Sequence, residues 1–122
     1  MNWTLEVVVV PVSDVDRAKS FYTEKAGFNV DHDRSFSDTM RVVQLTPSGS
    51  ACSIMIGAGL PGGQPGPTQL QLVVSDIEAA RAELVQRGAE VSEVEVLEGF
   101  AFAYFDDPDG NHWSVQQLPD RD

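Results

Sequence analysis

A chain of 122 residues, 42% of them hydrophobic and 22% charged, has the length and make-up of one folded domain. Nineteen acidic against eight basic side chains leave a net charge of −11, which excludes a basic duplex-binding groove and docking on an anionic membrane. The balance tolerates a cationic ligand, and the single cysteine, Cys52, excludes an internal disulfide framework or a Cys-rich zinc site.

Taken in chain order, the first residues, Met1 to Glu6, carry neither a basic leader region nor a cleavage signature. The longest apolar run, Val7 to Val12, is far too short to span a bilayer, so the expected location is the cytoplasm. Leu5 to Val12 is β-branched and reads as a buried strand. Ser13 is placed to cap a helix in which Val15, Ala18, Tyr22 and Ala26 recur at helical spacing, and Gly27 closes it. Strand patterns follow at 28–33, 41–46 and 51–57, with turn chemistry in Thr46-Pro47-Ser48-Gly49. Cys52, within the apolar run Ala51 to Ile56, reads as a buried structural thiol. Leu60 to Pro67 is a Gly/Pro stretch that no regular element crosses. Beyond it, Ser75 and Glu78 have capping-box spacing ahead of Ile77, Ala80 and Leu84, and Gly88 supplies the stop. Strand patterns return at 90–96, 100–105 and 112–118, the last two separated by Asp107-Pro108-Asp109-Gly110.

The chain thus repeats itself. Val12-Ser13-Asp14-Val15-Asp16-Arg17-Ala18 recurs as Val74-Ser75-Asp76-Ile77-Glu78-Ala79-Ala80, an offset of 62 residues (74 minus 12). Half-chain self-similarity means two copies of one supersecondary unit, each reading βαβββ. The expected architecture is α+β, a single domain over 1–122. Module one covers about 1–59, the linker about 60–67 and module two about 68–118.

Two such modules, with V-x-D opening each helix and D-P-D-G-N before the last strand, resemble the vicinal oxygen chelate superfamily. This is the glyoxalase, bleomycin-resistance and extradiol-dioxygenase group. The segments Val7–Phe28, Leu70–Val91 and Tyr104–Gln117 carry the resemblance. It implies a glyoxalase-like fold, in which paired modules curl their strands into a cup with helices outside and ligand inside. It also implies a homodimer, with the modules paired either within one chain or across two. Metal-using members place ligands on the first and last strands of each module. The matching positions here hold Val7, Gln69 and Ser114, and no Asp or Glu occurs between Thr39 and Ser75 to supply the remaining carboxylate. Such a set offers a divalent ion little, so no metal and no cofactor are expected.

Strand alternation places Leu5, Val7 and Val9 toward the cup, joined by Gln69, Gln71 and Val73 and by His112, Ser114 and Gln116. Phe100, Phe102 and Tyr104 alternate along one strand and either add a stacking surface or pack the core; Trp113 reads as core. The acidic runs Glu90 to Glu95 and Asp106-Asp107 read as solvated surface. An apolar concavity with a few polar groups suits a small organic ligand. The ligand-binding candidates are Val7, Val9, Gln69, Gln71, Phe102, Tyr104, Ser114 and Gln116. The first functional reading is a metal-independent binder of an apolar or cationic compound, of the bleomycin-resistance type. The alternative is an enzyme of the same fold, a lyase, isomerase or hydrolase, with His112 or His32 moving protons or with a non-standard metal site. His112 and His32 are read equally as solvent-facing, and a purely structural dimer is the third possibility.

Overall fold

The computed structural model describes residues 1–119. Module one forms a four-stranded sheet from β1 (Val7–Val9), β2 (Asn29–Ser35), β3 (Arg41–Thr46) and β4 (Ser53–Ala58), in the order β1-β4-β3-β2. Module two repeats that order with β5 (Gln69–Val73), β6 (Glu95–Leu97), β7 (Phe100–Asp106) and β8 (His112–Gln117), arranged β5-β8-β7-β6. In each sheet the first and last strands run parallel and the other pairs antiparallel, with Val7 beside Ser53 and Gln69 beside His112. This is the two-module α+β, glyoxalase-like architecture, with one helical segment in each module.

The helix starts differ from the sequence expectation by one residue. Asp14 and Asp76, rather than Ser13 and Ser75, are the N-caps, and their carboxylates accept from Arg17 N and Ala79 N. A carboxylate also complements the positive end of a helix dipole. Ser13 turns instead to the other module, donating from Oγ to Asp109 Oδ1 at 2.5 Å and from N to Oδ2 at 3.0 Å. The first helix, α1 (Val15–Ser20), widens into a π-helical turn over Phe21–Lys25, closed by Ala26 N donating to Phe21 O. The second, α2 (Ile77–Gln86), ends at Gly88, whose φ of +96° suits glycine.

Two strands are shorter than their sequence patterns. β1 stops at Val9 and Val10 makes its last ladder bond, to Met55 O, because Pro11 has no N–H to continue it. β6 begins only at Glu95, since the carbonyls of Val91 and Ser92 are taken by the Arg81 guanidinium on α2. Conversely, β2 runs on to Ser35, with a bulge between Val30 and His32. Cys52 is half-buried rather than buried, because it sits ahead of β4 in a turn where Ser50 Oγ bonds its N–H and C=O.

One face of each sheet is closed. Val10, Val43, Leu45, Ile54 and Ile56 from module one join Ala101, Ala103, Phe105, Trp113 and Val115 from module two in a single buried core. The π-helical turn connects the two sets: Tyr22 and Phe28 pack edge-on to Trp113, and Phe21 lies against Phe105. Burial of this cluster favours the joining of the modules. Its polar atoms are satisfied, and Asp107 is buried rather than on the surface because they claim it: Tyr22 Oη donates to Asp107 Oδ2 at 2.7 Å and accepts from Trp113 Nε1 at 3.0 Å. Burial, and then the Asp107 carboxylate, push the Tyr22 phenol well above its usual range, so it stays a donor.

Candidate functional site

Alternation that buries one face leaves the other open. On β7, Ala101, Ala103 and Phe105 are buried while Phe100, Phe102 and Tyr104 are half-exposed on the opposite side. Their rings stand in a ladder: Phe100 to Phe102 at 6.5 Å, Phe102 to Tyr104 at 6.3 Å with the planes only 3° apart, and Tyr104 to His112 at 5.5 Å. The register places Gln116 beside Phe102, and Ser114 beside both Tyr104 and Gln71. Gln71 Nε2 donates to Gln116 Oε1 at 2.7 Å, and Ser114 Oγ donates to Gln71 Oε1 at 3.1 Å. Gln69 lies at the end of β5, opposite His112. Module two's open face is therefore an aromatic rack beside a self-bonded neutral polar strip.

Asp106 completes this wall. Its Oδ1 lies 2.7 Å from His112 Nδ1, a pairing set by the hairpin register that puts the two residues opposite each other. Sequence reasoning singled out His112 and read Asp106 as solvated surface without pairing the two; counting outward from the Asp107-Pro108-Asp109-Gly110 turn would have paired them.

Module one's open face carries Val7, Val9, Met55, Val42, Gln44 and His32, opposite the buried Val10, Val43, Leu45, Ile54 and Ile56. His32, Arg34, Phe36, Val42 and Gln44 line a recess of about 230 Å³. Val9 is approached from outside by Gly62 of the linker. At one end Thr46 Oγ1 donates to Asp31 and accepts from Ser53 Oγ at 2.6 Å. Arg34 and Phe36 escape the sequence reading because its strand pattern ends at Asp33, and Gln44 because nothing local shows which face of the 41–46 strand is open.

Of the sequence candidates, Gln69, Gln71, Phe102, Tyr104, His112, Ser114 and Gln116 share one wall, while Val7, Val9 and His32 lie on the other. The recesses on the two walls are separate: Tyr104, Asp106, His112 and Glu90 border one of about 350 Å³ on module two. A larger cleft of about 490 Å³ lies between α2, the Pro47–Ser50 turn and the free edge of β5, and Gln71 and Val73 border it.

The fold and its repeat are matched in known proteins. Residues 4–115 fit the family described as the Glyoxalase/Bleomycin resistance protein/Dioxygenase superfamily. The chain belongs to that superfamily. It is 32% identical to TnmS3, an antibiotic-binding protein from Streptomyces sp. CB03234, with a TM-score of 0.84 over 96% of this chain and 97% of that one. A glyoxalase/bleomycin resistance protein from the same Streptomyces is 33% identical, with a TM-score of 0.79 and coverage of 93% and 100%. The uncharacterized protein YetH of Bacillus subtilis (strain 168) is 28% identical over 113 residues, 90% of this chain and 94% of that protein.

Metal-using members of the superfamily draw donors from the first and last strands of each module, so the residues at those positions decide what this chain offers. Val7 on β1 has no donor atom, and Met55 holds the place on β4 that Ser114 holds on β8. Gln69 and Ser114 are neutral, and the Ser114 hydroxyl is bonded to Gln71. Among the described residues no three His, Cys, Asp or Glu side chains converge on a point. This donor set does not fit a divalent ion, which needs several charged or strongly donating ligands together. Among the same residues no helix is long and apolar enough to cross a membrane.

Proposed function

We propose that this protein is a small-molecule-binding member of the superfamily that holds an apolar, planar organic compound without a metal. The aromatic rack of Phe100, Phe102, Tyr104 and His112 carries this reading: four near-parallel rings left open on a sheet face form a stacking surface and contribute nothing to the core. Gln69, Gln71, Ser114 and Gln116 supply neutral hydrogen bonds beside it, and Val7 and Val9 an apolar opposite wall. The likeness to an antibiotic-binding protein supports a compound of drug size. Total charge would favour a cationic ligand, yet the open faces are close to balanced, with Arg34 on one and Glu95 and Asp106 on the other. The apolar reading therefore stands ahead of the cationic one. The protein is read as one two-module domain acting in the cytoplasm, its cup completed by a second copy, with neither nucleic acid nor membrane as partner.

The test uses anthracene-methanol, whose fluorescence reports stacking. Phe102→Ala and Tyr104→Ala should each weaken its binding about tenfold, the scale of one aromatic pair with its buried area. Their melting temperatures should hold, because both rings lie outside the core. Removing divalent ions with EDTA should leave the affinity unchanged. Stoichiometric metal retained after desalting, or full affinity in both variants, would overturn the reading.

The Asp106–His112 pair favours a second reading, an enzyme in which that imidazole moves a proton on a small oxygenated substrate. A bound compound recovered with altered mass from the wild type, but unaltered from His112→Ala, would establish it.

A further inference from the structure

Module one's open face carries a chemistry that module two's lacks. Arg17, Lys19, Arg41, Arg81 and Arg87 each meet a carboxylate, whereas Arg34 takes part in no ion pair among the described residues. The two carboxylates closest to it along β2 are committed elsewhere. Asp31 accepts from Thr46 Oγ1, and Asp33, on the opposite face of the strand, holds both Lys19 and Arg41. The cross-strand neighbour of Arg34 is Val42, and His32 and Gln44 face each other one step along the same wall. Phe36, 63% exposed, flanks the recess on its other side.

A guanidinium, an imidazole and an amide thus surround an apolar floor with no internal acid engaging the charge. An apolar floor strengthens attraction for an opposite charge, and the planar guanidinium fork matches a carboxylate with two parallel hydrogen bonds. At about 230 Å³ the recess has room for an acidic group and the ring that bears it. In a chain of net charge −11, a solitary cation on the wall facing the ligand selects for acid rather than for amine.

We propose that Arg34, with His32 and Gln44, recognises an acidic oxygen group, a carboxylate above all, carried on an aromatic ligand of the proposed site. The inference rests on the small-molecule reading above and names the ligand's class: an aromatic acid, its charged end on module one and its flat skeleton on module two.

Three matched probes test it by fluorescence titration: anthracene-carboxylate, anthracene-methanol and anthracenyl-methylamine. The wild type should bind the carboxylate about tenfold more tightly than the alcohol, and the amine most weakly, the first difference being one charge-assisted pair. Added salt should narrow the difference. Arg34→Gln should bring the carboxylate down to the level of the alcohol without changing the alcohol, and Arg34→Lys should restore part of the gap. Phe102→Ala should weaken all three alike. A carboxylate-to-alcohol ratio unchanged in Arg34→Gln, or the amine as tightest probe, would overturn the proposal. If all three bind equally, this inference falls and the aromatic-binding reading survives; if none binds, both fall.

Discussion

At the scale of single residues, the D-P-D-G-N segment shows how a turn signal conceals a larger role. Asp107-Pro108-Asp109-Gly110 reads as a hairpin turn in the sequence, and Asp107 N to Asn111 O closes that turn in the structure. Asn111, however, is fully buried, and its side chain bonds four ways outside the turn's own closure. Its Oδ1 accepts from Gly66 N and Thr68 N, while its Nδ2 donates to Pro11 O and to Asp107 Oδ2. One amide thereby ties module one, the linker and module two. Asp109 adds a second tie through Ser13 and Arg17. Partners about a hundred residues apart leave no local pattern, so only the turn itself is legible. Asn111→Ala strands several buried groups at once, each costing about 1–3 kcal/mol when unsatisfied. We expect a loss of at least 3 kcal/mol or so in urea unfolding, against a fraction of that for Asn29→Ala, whose side-chain contact is exposed. Equal stability of the two variants would show that water replaces the latch.

At the scale of elements, alternation and helical period predicted the order of strands and helices and the inward faces of β1, β5 and β8, down to Trp113 in the core. The errors came where a side chain redirects the backbone: Arg81 taking the carbonyls that β6 would have used, and carboxylates displacing serines as caps. The outer edge of module one is fixed by charge as well as by ladder bonds. Asp33 on β2 accepts from Arg41 on β3 at 2.8 and 3.0 Å and from Lys19 on α1 at 2.7 Å, and Arg41 also reaches Asp16. Hydrogen bonds first from Arg41 and then from Lys19 hold the Asp33 carboxyl well below the usual carboxylate range. A carboxylate depressed in the folded state stabilises it above the unfolded pKa of about 4, and that contribution fades as pH falls below it. Asp33→Asn should therefore cost about 1 kcal/mol at neutral pH, a modest figure because the network is partly solvated. The gap between the melting temperatures of variant and wild type should shrink steadily below about pH 4. A gap independent of pH would assign the loss to packing rather than to charge.

At the scale of the whole molecule, the sequence showed that an acidic domain is built from two copies of a half-sized unit, and the structure shows how those halves are oriented. Their inward faces share one core, so their open faces line separate recesses instead of one enclosed cup. Val7, Val9, Gln69, Gln71, His112, Ser114 and Gln116 lie on the strand faces that alternation assigns them, while Phe102 and Tyr104, open between cup and core in the sequence, take the open face. Which wall meets which depends on the packing of Tyr22 and Phe28 against Trp113, and no local pattern encodes that. The open rack of Phe100, Phe102, Tyr104 and His112, with Val73 at 59% exposure on the free edge of β5 and Leu97 at 53% beside β7, is a largely apolar surface that a lone chain leaves in water. A second copy related by a two-fold axis would lay module one's open face over module two's, twice, and enclose two equivalent sites from complementary walls. Light scattering should then give twice the chain mass of 13.3 kDa at micromolar concentration. Val73→Asp places a charge on that edge without touching the core, and it should shift the mass toward the monomer while leaving the far-UV circular dichroism intact. It should also weaken anthracene-methanol binding in step with dissociation, since each site needs both walls. A wild-type mass of one chain, or tight binding by a Val73→Asp monomer, would show that a single open wall holds the ligand alone.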